Sequence, residues 1–142
     1  MMDFKALGDA GEGFACFETA LTGPTAEEFI EQFRGVCSCN DAKQNTGIVY
    51  IWFTEKAIPR LRGASDIVDI GQTKNSFFAR HHRYAAVMGS SLNWERYKHI
   101  ISQFGPIKIA FKVVPEPRVT ETELIGKYFE RHLELPPVNA SK

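Results

Sequence analysis

Gly47-Ile48-Val49-Tyr50-Ile51-Trp52-Phe53 carries β-branched and aromatic side chains at every position after its glycine. No polar residue interrupts the run, so the segment reads as a strand buried on both faces. The rest of the chain must then supply a covering layer to each side of it. As an apolar stretch it falls far short of the roughly 20 residues a membrane helix needs, and no membrane span is expected.

Downstream, Asp66-Ile67-Val68-Asp69-Ile70 reads as a second short strand that stops at Gly71. Pro59 and Gly63 bracket a loop between the two strands, with Lys56, Arg60 and Arg62 as a basic cluster. After a turn through Thr73, Lys74 and Asn75, Ser76 can cap a helix that runs to about Met88 and breaks at Gly89-Ser90-Ser91. Ser91 or Asn93 then opens a helix with Trp94, Tyr97, Ile101 and Phe104 at helical spacing, ended by Gly105-Pro106. Ile107, Ile109, Phe111 and Val113 alternate with Lys108, Ala110 and Lys112, the pattern of a strand with one wet face. Pro115 and Pro117 stop that strand, and Thr120 with Glu123 forms a capping box for a last helix to about Leu133. Pro136-Pro137-Val138-Asn139 closes the domain. The order β-β-α-α-β-α over residues 45–142 predicts an α+β fold, a small three-stranded sheet flanked by helices.

Residues 1–44 read as an N-terminal extension with one helix. Phe14 to Phe17 could form a short strand, and Thr25 with Glu28 is a capping box. The helix it opens places Phe29, Ile30 and Phe33 on one stripe and is expected to stop at Gly35, ahead of a polar loop over 37–46.

At 142 residues and 44% hydrophobic content the chain is one globular domain. Seventeen basic residues cancel seventeen acidic ones, which excludes a supercharged nucleic-acid coat but leaves room for a local basic patch. The start of the chain lacks a signal-peptide pattern, and three cysteines make an odd count suited to a reducing compartment, so the expected location is the cytoplasm. Cys37-Ser38-Cys39 would need two more ligands to hold zinc, and the four histidines lie far along the chain at unsuitable spacings.

Two places carry chemistry. In the last helix, Leu124, Ile125, Tyr128, Phe129 and His132 form one inward stripe, and one turn back the stripe lands on Glu121. An inward carboxylate must be paired, solvated in a cleft or bound to metal, although a first-turn acid also complements the helix dipole. In the helix after Ser76, Arg80 and Tyr84 share a face, and Lys74, His81, His82 and Arg83 make the segment basic. Interleaved base and aromatic suits a phosphate backbone; a solvated helix face with core aromatics is the plainer alternative.

The ordered set resembles the GIY-YIG nuclease family over about residues 45–142. Gly47-Ile48-Val49-Tyr50 is similar to its first motif, with Val49 at the tyrosine position and Tyr50 one residue later. Asp69-Ile70-Gly71 is similar to its second, with Asp69 at the tyrosine position, and Gln72-Thr73-Lys74 follows. The family's arginine falls on Arg80, the residue four later is Tyr84, its metal-binding glutamate is Glu121 before Leu124-Ile125, and its closing asparagine is Asn139. The resemblance implies hydrolysis of a DNA phosphodiester by an activated water and one divalent ion, Mg2+ or Mn2+, held by Glu121. It implies catalytic roles for Tyr50, Asp69, Arg80, Tyr84 and Glu121, and DNA contacts from Lys74, Arg80, His81, Arg83 and Asn139. DNA is the implied partner, and a homodimer would cut both strands. An inactive nucleic-acid-binding module, or a protein-interaction domain with Arg80 and Glu121 as an ion pair, are the other classes the same residues allow.

Overall fold

Ile48, Tyr50 and Trp52 point to one side of the sheet, Val49, Ile51 and Phe53 to the other, and all six are buried. A computed structural model describes residues 1–88 and 91–139. Its strands are β1 (Ala15–Cys16), β2 (Thr46–Pro59), β3 (Ala64–Ser76) and β4 (Lys108–Val113). Its helices are α1 (Ala26–Ser38), α2 (Asn40–Gln44), α3 (Phe77–His81), α4 (Ala85–Met88), α5 (Ser91–Phe104) and α6 (Pro117–His132). The architecture is α+β.

The strands pair antiparallel in the order β1-β4-β2-β3. The sheet therefore has four strands where three were expected. The extra one comes from residues 1–44, where Ala15 pairs with Phe111 and Cys16 with Ala110. That segment also holds two helices, since α2 forms where a loop was expected. Gly35 does not end α1: a glycine without a left-handed φ costs about 1 kcal/mol in a helix but does not terminate it. The Thr25 cap is present, its hydroxyl accepting from the Glu28 N–H at 3.2 Å.

One face of the sheet carries α1, α3 and α5, with Phe29, Phe33 and Phe77 fully buried against Trp52, Tyr97 and Phe111. Each such ring contributes about 1.5–3 kcal/mol by leaving water. The other face carries α6 and the chain start, with Leu124, Tyr128, Phe4, Leu7 and Phe14 over Val49, Ile51 and Ile70. Short segments bond along both sheet edges: Met2 bridges to Phe14 just before β1, and residues 138–139 bond along β3. Leu21 bridges to Ile107 beyond β1, and the Val138 N–H donates to the Val68 carbonyl at 3.0 Å along β3.

Further boundaries differ from expectation: β3 does not stop at Gly71 but pairs on through Thr73 to Ser76, where a turn was expected. The first two strands form one long hairpin with a turn at 60–63, because the Arg60 N–H donates to the Gly63 carbonyl and Gly63 takes φ 72°. Pro117 starts α6 instead of preceding it; its locked φ suits the first helical position, where an N–H would go unsatisfied anyway. Thr120 is consequently inside the helix, donating its N–H to the Glu116 carbonyl at 3.0 Å, and is no cap. The helix after Ser76 is in pieces, α3 and α4 flanking a 3-10 turn over His82–Tyr84. Gly89-Ser90, expected to break it, lie outside the described residues. Phe129, expected inward, is 49% exposed. No helix among the described residues is long and apolar enough to cross a membrane.

Candidate active site

In the β2–β3 ladder Tyr50 stands opposite Gly71, and Trp52 opposite Asp69. Opposed residues share a face, so Tyr50, Trp52 and Asp69 all point toward α5, while Val49 points toward α6. Gly71 is what lets the Tyr50 ring cross β3: a Cβ there would lie 2.4 Å from the phenol oxygen. Asp69 is only 5% exposed.

Beyond β3, the Ser76 hydroxyl accepts from the Ala79 N–H at 3.1 Å and turns the chain into α3. Phe77 and His81, four apart, face inward. The His81 ring stacks on Phe77 at 4.2 Å and meets the Tyr50 ring edge-on at 4.9 Å. His81, expected among outward phosphate contacts, is therefore buried beside Tyr50. Arg80 stays exposed, with its guanidinium carbon 5.3 Å from the centre of the Tyr84 ring. From the opposite side α5 brings Asn93, Arg96 and Tyr97; Arg96 Nη2 donates to Asn93 Oδ1 at 3.2 Å. Tyr50, Trp52, Asp69, Arg80, Tyr84 and Arg96 thus share one cleft of about 310 Å³.

Electrostatics ties the cleft together. Burial and then the Asp69 carboxylate push the Tyr50 phenol well above its ordinary value; Arg80 pulls it down, and Glu121 and Tyr97 push it up. Tyr97 is raised to about 12 by burial and by Asp69, against the Arg96 charge and hydrogen bond. Glu121 is half-buried on α6, and although α6 packs on the other face, its charge reaches Tyr50.

Other expected contacts lie elsewhere. Lys74 is exposed beside Gly47 and the start of α6, and Arg83 is exposed on the 3-10 turn. Asn139 does not offer its amide outward, because both ends of it bond the Ile70 backbone at 2.7 and 2.8 Å. The loop cluster is not a free basic patch either. Arg60 donates to the Leu135 carbonyl at 2.7 Å and pairs with Glu134; Arg62 donates to the Arg131 and Glu130 carbonyls. Arg62 thereby satisfies the carbonyl end of α6, and Arg60 ties down the segment that follows it.

Arg96 and Asn93 were missed in the sequence. The available signal was a basic side chain next to Tyr97 on the same helix, masked by the core spacing of Trp94, Tyr97 and Ile101.

Among the described residues no group of three or more His, Cys, Asp or Glu stands close enough to hold a metal. Mg2+ needs less from a protein, usually one or two carboxylates with water and substrate phosphates completing its shell. Glu121 carries a carboxylate of that kind, but it stands on α6 over the other face of the sheet and is not among the residues lining the cleft; only its charge reaches Tyr50. The chain matches no family model, no curated protein and no solved structure.

Proposed function

We propose that this chain is a metal-dependent endonuclease of the GIY-YIG type that hydrolyses DNA phosphodiester bonds. The observation that carries the reading is the meeting of Tyr50, Asp69, Arg80 and Tyr84 at one cleft, with Glu121 in electrostatic reach of Tyr50. The order of elements from β2 to α6 supports the same resemblance.

Each residue has work suited to its surroundings. The exposed Arg80 fork matches two phosphoryl oxygens and would neutralise charge growing on them, with Tyr84 holding its plane. Tyr50 stays protonated, so it serves as a donor that orients phosphate or water and not as a base. Asp69, in the place of a family tyrosine, would orient the attacking water and take its proton. Glu121 would hold Mg2+ or Mn2+, which supplies Lewis-acid stabilisation at the phosphoryl group when bound. The free Cys16, Cys37 and Cys39 fit action in the cytoplasm, and a homodimer would deliver two cuts.

Plasmid nicking tests the reading. Wild type should nick with Mg2+ or Mn2+ and stop with a chelator. Glu121→Gln should lower the rate more than about a hundredfold with an unchanged melting temperature. Exposed Glu123→Gln should leave it unaltered. Cutting by Glu121→Gln at the wild-type rate would overturn the assignment. Salt-sensitive DNA binding without any cutting would favour the inactive nucleic-acid-binding module instead.

A further inference from the structure

We propose that the α5 half of the cleft is a second phosphate subsite, where Arg96 and the Trp52 indole N–H hold the phosphodiester next to the one at Arg80. The assignment rests on the nuclease reading and names how that site grips its strand.

Trp52 lines the cleft, is almost wholly buried, and its Nε1 has no acceptor among the described residues. An indole nitrogen can only donate, and a buried donor left without an acceptor is costly enough to be uncommon in folded proteins. Three of the side chains lining the cleft with it also donate, while Asp69 brings a carboxylate that accepts. Arg96 carries a guanidinium, Asn93 an amide and Tyr97 a phenol raised to about 12, which keeps its proton at neutral pH. A ligand with several acceptor oxygens and a negative charge complements that set. Asp69, opposite Trp52 on β3, repels an anion, so the Arg96 charge is what makes the position favourable.

Arg80 and Arg96 enter the cleft from different helices, each beside a tyrosine ring, at 5.3 and 5.7 Å. Two guanidinium groups facing one cleft suit two successive phosphates of one strand. A cleft of about 310 Å³ is at the small end of ligand sites, room for a single nucleotide and not for a duplex.

The chain has two tryptophans, so Trp94→Phe leaves Trp52 as the sole indole reporter. In that background, with chelator present and ionic strength held with NaCl, thymidine 3′,5′-bisphosphate should change Trp52 emission saturably. Arg96→Ala should weaken the apparent affinity by about tenfold or more, and Lys98→Ala should not. Inorganic phosphate alone should bind at least about tenfold more weakly, having one phosphate to offer. In the full chain, Trp52→Phe should raise KM for a short single-stranded oligonucleotide while sparing kcat. No saturable change, equal affinity in Arg96→Ala, or equal binding of inorganic phosphate would each overturn the subsite. A chain that nicks plasmid but fails these titrations loses the subsite alone. One that binds the bisphosphate through Arg96 but cuts nothing loses the nuclease reading alone.

Discussion

Asn139 and Ile70 exchange two hydrogen bonds: the Ile70 N–H donates to Asn139 Oδ1 at 2.7 Å, and Asn139 Nδ2 donates to the Ile70 carbonyl at 2.8 Å. The side-chain amide thereby takes the place of a neighbouring strand on the open edge of β3, between Asp69 and Gly71. Asn139→Ala should cost about 1–3 kcal/mol in urea unfolding, since it strips partners from a partly buried backbone. Asn139→Asp should cost at least as much, because a carboxylate would face the Ile70 carbonyl. A change in either variant below about 0.5 kcal/mol would mean that water replaces the amide without loss.

Gly71→Ala should destabilise the fold by about 1–3 kcal/mol through overpacking, as the new methyl would lie 2.4 Å from the Tyr50 phenol. In a Tyr50→Ala background the same substitution should cost much less, because the colliding ring is gone. Thermal melts of the four proteins read this coupling, and additive losses would contradict it.

Arg80→Lys should lower single-turnover cleavage more than it lowers DNA affinity. A point charge replaces the charge of Arg80 but neither its planar fork nor its stack on Tyr84. Unchanged single-turnover cleavage would reduce Arg80 to a general backbone contact.

Alkaline pH should destabilise the protein through Tyr97. Its folded pKa of about 12 exceeds the ordinary value near 10, so both states are protonated below about pH 10. Above that the unfolded chain loses the proton while the native one keeps it, and stability falls as pH rises toward 12. The raised Tyr50 acts in the same direction. Tyr97→Phe should recover up to about 2 kcal/mol of the loss between pH 9 and 12 in urea unfolding. Asp69→Asn should bring both phenols down in an ultraviolet titration, as it removes a charge that raises each of them.

Legibility in the sequence followed the range of the forces involved. The strand around Tyr50 was readable because burial on both faces leaves an unbroken apolar run, and the caps at Thr25 and Ser76 because each bonds an N–H three residues on. The Arg80–Tyr84 pair was readable from helical spacing alone. What escaped depends on distant partners. Arg60 and Arg62 looked like a free basic loop because the carbonyls they bind lie 68 to 75 residues away. His81 looked outward because the switch to a 3-10 turn just after it leaves no mark in composition. Arg96 went unnoticed because only folding brings α5 across from α3.

The pairing of Ala15 with Phe111 sets an order of events in folding. β2 and β3 can zip locally around their turn, but β1 has no partner until β4 exists, and the loop to be closed spans most of the chain. Such non-local closure makes folding slow. In a pulse-labelled refolding experiment the amide of Phe17, which donates to Ile109, should gain protection later than the amides of the hairpin. During synthesis this segment leaves the ribosome well before β4, so Phe14 and Phe17, buried in the finished fold, should wait for the partners that cover them.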